Sequence, residues 1–272
     1  MTQTLRLAWK ALEATSGEAP LYNWKELSKD QFRFIKPFLV PTNNKADSLH
    51  CPVNCMHNCS REVCLHDEDY SKVIVSCGCV NDHNKCGISI FPVLDVVYHE
   101  IHWNNLSQEL ARLLGIDASY QRIDSCQYLH KIGEYTLMEC RKHPVYFAIP
   151  CPAEDIRRII SYLYQMQGDI KFILIVPTFQ DIRIEVINTI RKNGCEIISL
   201  HDITYAHTNG TIEISCSLNS LFIDFKKNIL RQYKTEGIAF IETPPHIKWK
   251  NIIIKVKDGH TIYLYYGGKR KV

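Results

Sequence analysis

Ala153-Glu-Asp-Ile-Arg-Arg-Ile-Ile-Ser-Tyr-Leu-Tyr-Gln-Met166, Phe172-Ile-Leu-Ile-Val176, Asp181-Ile-Arg-Ile-Glu-Val-Ile-Asn-Thr-Ile-Arg-Lys-Asn193 and Glu196-Ile-Ile-Ser-Leu200 read in order as helix, strand, helix and strand. Ile156, Ile159, Ile160 and Leu163 recur at helical spacing and line one face, as do Ile184, Ile187 and Ile190. The two strand segments are apolar without alternation, the pattern of strands covered on both faces. Gly194 closes the second helix. Alternation over such short connections predicts parallel strands joined by right-handed crossovers. Upstream, Glu134–Glu139 and Val145–Ile149 read as strands around a polar turn at Arg141-Lys142-His143. The expected fold class is mixed α/β, with a central parallel three-layer α/β domain at residues 119–217.

Toward the N-terminus, Leu5–Ala14, Asn23–Leu27 and Ser28–Phe38 read as helices, with Ser28 as an N-cap, so residues 1–49 are expected to be a helical segment. Pro41–Ser48 reads as a polar loop. Pro92–His99 and Leu106–Leu114 read as helices, the second stopped by Gly115. Beyond the α/β domain, Thr211–Ser215 reads as a strand and Asn219–Gln232 as a helix. Asn251–Lys257 and Thr261–Tyr266 read as a hairpin around Asp258-Gly259. Residues 218–272 are thus a basic helix and β-hairpin extension.

The chain has 272 residues, 46% hydrophobic and 22% charged, with a formal net charge of +3. That is the composition of an ordinary globular protein. The charge is uneven: residues 226–272 carry 11 basic and 3 acidic side chains, residues 51–119 carry 4 and 9. Met1-Thr-Gln-Thr-Leu-Arg-Leu-Ala-Trp-Lys10 lacks the apolar core and cleavage site of a secretory signal, and no apolar run approaches the ~18–20 residues of a membrane span. A cytoplasmic, reducing setting is expected, in which clustered cysteines ligate metal rather than form disulfides.

Seven of the twelve cysteines, Cys51, Cys55, Cys59, Cys64, Cys77, Cys79 and Cys86, fall between residues 51 and 86, among His50, His57, His66 and His83. A structural zinc site takes four soft or borderline ligands in a tetrahedron. A zinc ribbon would draw one knuckle from Cys51–Cys64 and another from Cys77–Cys86, with the strand Lys72–Ser76 between them. Spacing alone does not select four of the seven, and an iron–sulfur cluster uses the same thiolates. Cys126, Cys140, Cys151, Cys195 and Cys216 read as small buried apolar residues.

The cysteine segment resembles a set of uncharacterised bacterial proteins. The matching residues are His50-Cys51-Pro52, Asn58-Cys59-Ser60-Arg61-Glu62-Val63, Val73-Ile-Val-Ser-Cys77, Cys86, Phe91-Pro-Val-Leu-Asp95, Leu106–Gly115 and the strand end Ile175-Val176-Pro177-Thr178. The resemblance spans residues 50–200. It implies a zinc-ribbon-like module at 50–118 with Cys51, Cys59, Cys77 and Cys86 as ligands of a structural Zn²⁺, and it implies no activity. The chain departs from the group in Ser60, where the group has proline, and in the extra Cys55, Cys64 and Cys79.

Catalytic signatures are sparse. His99-Glu100-Ile-His102 is one residue short of a metalloprotease His-Glu-x-x-His and reads as a solvated helix end. No His-x-Glu accompanies a Cys-x-x-Cys as in zinc deaminases. Neither a dinucleotide-binding nor a P-loop glycine pattern follows a strand. The carboxyl ends of the parallel strands, where open sheets bind ligands, carry Pro150-Cys151-Pro152, Pro177–Asp181 and His201-Asp202. There Thr178 and Asp181 read as caps of the next helix and His201-Asp202 as the start of a loop. A restriction-type nuclease would draw on Asp124, Glu134, Glu139 and Lys142, although Glu139-Cys-Arg141 places arginine where lysine is wanted.

Lys250, Lys255, Lys257, Lys269, Arg270 and Lys271, interleaved with Trp249, Tyr263, Tyr265 and Tyr266, suit phosphate neutralisation and base stacking. The expected function is that of a non-enzymatic, zinc-stabilised nucleic-acid-binding or adaptor protein of a bacterial cell, accessory to phage defence or a mobile element. The alternatives are a metal-dependent nuclease or hydrolase in the α/β domain, and a protein–protein interaction subunit of a larger complex.

Overall fold

The computed structural model describes residues 2–50, 60–66, 68–77, 87–138, 141–149, 156–208, 210–235, 252–257, 261–266 and 269–271. The chain divides into two compact units, Met1–Ile229 and Leu230–Val272. It is mixed α/β with several sheets.

The first unit opens with β1 (Thr2–Thr4), α1 (Arg6–Thr15), β2 (Glu18–Pro20) and α2 (Leu21–Ser28). The helix expected over Ser28–Phe38 is instead broken into a 3₁₀ turn Lys29–Gln31, a single turn α3 (Phe32–Ile35) and a 3₁₀ turn Lys36–Phe38. Lys29 has φ 48°, outside helical space, and Pro37 lacks an N–H. The Ser28 hydroxyl caps nothing; it donates to the Trp24 carbonyl. The polar stretch expected to be a loop forms β3 (Leu39–Lys45) and β4 (Ser48–His50). Next come β5 (Ser60–Leu65), β6 (Lys72–Cys77) and β7 (Ile88–Pro92), then one helical turn α4 (Val93–Val96) and β8 (Val97–Ile101) where a longer helix was expected. β8 lies between β2 and β3 in an antiparallel sheet. Pairing with β8 decides β3 against its weak local propensity, whereas Val97, Tyr98 and Ile101 favour a strand at β8 by themselves.

α5 (Trp103–Leu114) ends at Gly115, whose φ of 62° needs no Cβ penalty. β9 (Asp117–Arg122), β10 (Leu129–Met138) and β11 (Arg141–Ala148) follow, then α6 (Ile156–Gln167), β12 (Ile173–Val176), α7 (Ile184–Lys192) and β13 (Glu196–Ser199). They form one five-stranded sheet in the order β13-β12-β11-β10-β9. The expected parallel strands are present: Val145 pairs with Ile173 and Ile173 with Glu196. The sheet is not wholly parallel, because β9 and β10 extend it in antiparallel fashion. Arg141–His143, expected as a turn, begins β11. Ile156, Ile159, Ile160 and Leu163 of α6, with Ile187 and Ile190 of α7, bury their stripes against Phe172, Leu174, Val176 and Ile197. Each such side chain contributes about 1.5–3 kcal/mol by leaving water.

α8 (Leu200–Ile203) leads to β14 (Thr204–His207) and β15 (Ile212–Ile214), and then α9 (Leu218–Leu221) and α10 (Ile223–Thr235). β14 pairs with both β15 and β1, and Trp9 Nε1 donates to Thr204 Oγ1 at 2.7 Å. The N-terminal segment is therefore not purely helical, and its first strand completes a three-stranded sheet with β14 and β15. Phe222 and Phe225 pack on Tyr135 and His143 of that sheet, with ring centroids 4.6 and 5.2 Å apart.

In the second unit, β16 (Ile252–Lys257), β17 (Thr261–Tyr266) and β18 (Lys269–Lys271) form an antiparallel sheet. The hairpin gains a third strand from the basic tail; its turn, Asp258-Gly259, lies outside the described residues.

Candidate functional site

Strands β4, β5, β6 and β7 form an antiparallel meander. His50 at the end of β4 pairs with Ser60 at the start of β5. Arg61 pairs with Cys77 at the end of β6, and Ser76 pairs with Ile88 at the start of β7. Residues 51–59 and 78–86 are thus joined to strand ends at one end of this sheet. Of the expected ligands, Cys51, Cys59 and Cys86 lie outside the described residues, as do Cys55 and Cys79, and Cys77 closes β6. Cys64 is exposed and pairs with Ile74. Strand alternation puts it on the opposite face from Cys77. Among the described residues no group of three or more His, Cys, Asp or Glu side chains could hold a metal ion.

Arg61 shares its face with Cys77 and is only 1% exposed. Its guanidinium donates to Ser89 Oγ and to the Tyr22 hydroxyl, both at 3.3 Å. It also lies 5.8 Å from the ring centroids of Tyr22 and Phe91. Its Nε has no hydrogen-bond partner. The sequence signal for this burial is parity: Arg61 alternates in step with Val63, whose register partner Val75 is fully buried.

At the carboxyl ends of the parallel strands, Thr178 does not cap α7, whose N-cap is Arg183 with no side-chain bond. Thr178 is buried, and its N–H and hydroxyl both donate to the Glu13 carboxylate of α1, at 2.9 and 2.8 Å. Burial pushes the Glu13 carboxyl up, the Thr178 bonds oppose this, and Asp181 adds to the rise. His201 opens no loop: it belongs to α8, and its N–H donates to the Pro177 carbonyl at 2.9 Å. Residues 150–152 lie outside the described residues. What stands at this sheet end is a latch between α1 and the sheet, supplied by a glutamate 165 residues away that no local pattern announces.

The nuclease residues are only partly gathered. Lys142 Nζ lies 3.2 Å from Glu134, and Lys131 Nζ lies 2.8 Å from it. Asp117, which the sequence did not single out, accepts from Thr136 at 2.9 Å and lies 3.9 Å from Lys142. The bonds from Lys131 and Lys142 hold the Glu134 carboxyl below its usual range. Asp124 is exposed between β9 and β10, and Glu139 lies outside the described residues. His99 and Glu100 lie on β8, while His102 caps α5 by accepting the Asn105 N–H at 3.2 Å, so the His-Glu-Ile-His stretch is not a helix end. Cys126 and Cys195 are buried as expected, whereas Cys216 is half-buried.

Lys255 and Lys257 lie on β16, and Lys269, Arg270 and Lys271 on β18; Lys250 lies outside the described residues. The register pairs Lys255 with Tyr263, Lys257 with Thr261, Ile253 with Tyr265 and Tyr265 with Arg270. Directly paired residues share a sheet face. Positions 253, 255, 257, 261, 263, 265 and 270 therefore share one face. Positions 252, 254, 256, 262, 264 and 266 share the other with 269 and 271, so the tail's basic residues divide between the two.

Comparison with protein-family models, with curated proteins and with solved structures found no match.

Proposed function

We propose that this protein binds single-stranded nucleic acid through one face of its C-terminal sheet, on a scaffold that includes a zinc-held cysteine module. The observation that carries the reading is the register of β16–β18. It puts Lys255, Lys257 and Arg270 on the same face as Tyr263 and Tyr265. Cations neutralise phosphates, and tyrosine rings stack on unpaired bases of any sequence. The opposite face is dominated by Ile252, Ile254, Val256, Ile262 and Leu264 and suits packing rather than phosphate. In this reading the α/β sheet is the middle of three layers, the acidic cysteine segment contributes no phosphate contact, and zinc serves structure rather than catalysis.

Fluorescence anisotropy with a labelled single-stranded oligonucleotide tests it. Binding is expected to weaken with salt at a slope of about −0.7 per phosphate neutralised. Reversing Lys255, Lys257 and Arg270 to glutamate should abolish binding, whereas reversing Lys269 and Lys271 should weaken it less. Equal losses from the two sets would refute the assignment of the face.

A second reading, a metal-dependent nuclease, draws on the approach of Lys142 to Glu134 and Asp117. The pairing of Glu134 with two lysines argues against it, since a carboxylate so neutralised is a poor cation ligand. Mg²⁺-dependent cleavage lost on Glu134→Gln would favour it.

A further inference from the structure

We propose that the cleft between α6 and the β9–β10 connection binds a small phosphate ester that carries a planar ring, of the chemical class of a mononucleotide. The cleft has a volume of about 370 Å³, within the range of small-ligand sites. One wall is α6. Arg158, Tyr162 and Gln165 recur at helical spacing along one flank of that helix, beside the stripe that Ile156, Ile159 and Leu163 bury. Arg157 and Ser161 line the cleft as well. The facing wall is the connection at 123–128, which contributes Ser125 and Cys126. Ile123 and Cys126 anchor that wall in the same core as α6. The Cys126 N–H donates to the Ile123 carbonyl and the Leu129 N–H to the Cys126 carbonyl, both at 3.0 Å. Both walls are therefore set before a ligand arrives.

The chemistry of the lining points to an anion. It offers two guanidiniums, three hydroxyls and one carboxamide, and no carboxylate among the described residues. Asp124, beside Ser125 in sequence, is exposed and does not line the cleft. Each of these groups is a hydrogen-bond donor. The side chains of Ser125, Arg158, Ser161 and Gln165 make no hydrogen bond or ion pair among the described residues, so they turn to a ligand without giving up a protein partner. A phosphate monoester is close to dianionic at neutral pH and presents three acceptor oxygens, and the planar fork of a guanidinium binds two of them at once. The remaining room is bounded by Tyr162, which is half-buried and packed against the core. A ring so held offers a stacking surface to a base of any identity. The cleft is made wholly of residues of the first unit and uses none of the cations proposed for the oligonucleotide face.

Isothermal titration of the full chain with AMP, inorganic phosphate and adenosine provides the test. AMP is expected to bind at one site, roughly tenfold more tightly than inorganic phosphate, as stacking of one base contributes, and more tightly than adenosine. Arg158→Ala should weaken AMP binding about 10–100-fold, the loss of a charge-assisted hydrogen bond. Lys192→Ala makes the same change of charge at an exposed position of α7 that does not line the cleft, and should leave AMP binding within about twofold. Tyr162→Leu keeps apolar bulk against the core and should bring AMP down toward inorganic phosphate; if it does not fold, the comparison of Arg158→Ala with Lys192→Ala carries the test. Reversal of Lys255, Lys257 and Arg270 to glutamate should leave AMP binding intact. Loss of AMP binding in that triple variant with retention in Arg158→Ala would move the ligand to the C-terminal sheet and overturn the proposal. So would equal losses in Arg158→Ala and Lys192→Ala, inorganic phosphate binding as tightly as AMP, or no binding of AMP at all.

Discussion

His130 is a buried titratable residue outside every candidate site, and it sets a pH dependence. It is 2% exposed, its ring stacks on Trp103 with centroids 4.0 Å apart, and the Tyr120 hydroxyl lies 3.4 Å from its Nδ1. Burial first, and Arg122 second, push its pKa down to about 4. Between about 6.5 and 4 the unfolded chain takes up a proton that the native state refuses. Stability is therefore lost as pH falls through that window, by roughly 3 kcal/mol in all. Glu13 acts oppositely: its raised pKa leaves the native state holding a proton that the unfolded chain has released, so its contribution declines as pH rises above the ordinary 4.5. Urea unfolding between pH 4.5 and 7 should show a shallower acid slope for His130→Phe, which keeps the stacking and loses the proton; identical slopes would exclude His130 as the source. At this scale the sequence was legible in type and not in role. Thr178 stands out from its context, but its partner is the distant Glu13, so a local cap was the natural expectation. Arg61 could be read for parity but not for its described partners, Ser89 and Tyr22, which come from other elements.

Among elements, legibility followed the source of stability. α6, β12 and β13 bury continuous stripes, and α7 buries Ile187 and Ile190 although Ile184 of the same expected face is exposed, so these periodicities largely survive in the sequence. β3 exists because it pairs with β8, and Pro41-Thr-Asn-Asn carries no stripe to show it. β18 is a run of Lys-Arg-Lys that only its pairing with β17 makes a strand. The β9–β10 ladder shows what a single position can decide. Gly133 sits at a register shift, opposite Ala118, and a Cβ there would fall 2.5 Å from the Asp117 carbonyl oxygen. That oxygen is backbone and cannot swing aside, so the strands would have to part. Gly133→Ala is expected to destabilise by about 1–3 kcal/mol, as overpacking does. Urea unfolding checks the magnitude. Hydrogen exchange locates the damage, which should fall first on the amides of Asp117–Arg122; unaltered protection there would refute this account.

For the whole molecule, net charge conceals the division that matters. The +3 of the chain is a balance between a strongly basic C-terminal stretch and an acidic cysteine segment, and each is suited to a different kind of partner. The alternation of strand and helix told the α/β class, whereas the pairing of β1 with β14 was invisible because it joins residues far apart in the chain. The two compact units give a separable expectation. A chain ending at Thr235 should lose oligonucleotide binding and keep its zinc content, read by elemental analysis; retained binding would move the interface out of the C-terminal sheet. The long-range clasps also have a consequence during synthesis. Trp9 and Glu13 find their partners 195 and 165 residues later. At about 5–20 residues per second the wait is roughly 8–40 s. Through that interval Trp9 Nε1 and the Glu13 carboxylate of α1 wait for these partners, whereas Ala8, Trp9 and Leu12 already have Phe34, Ile35 and Phe38 beside them. The ribosome thus delivers the apolar neighbours of α1 first, and the polar clasps to Thr204 and Thr178 close last.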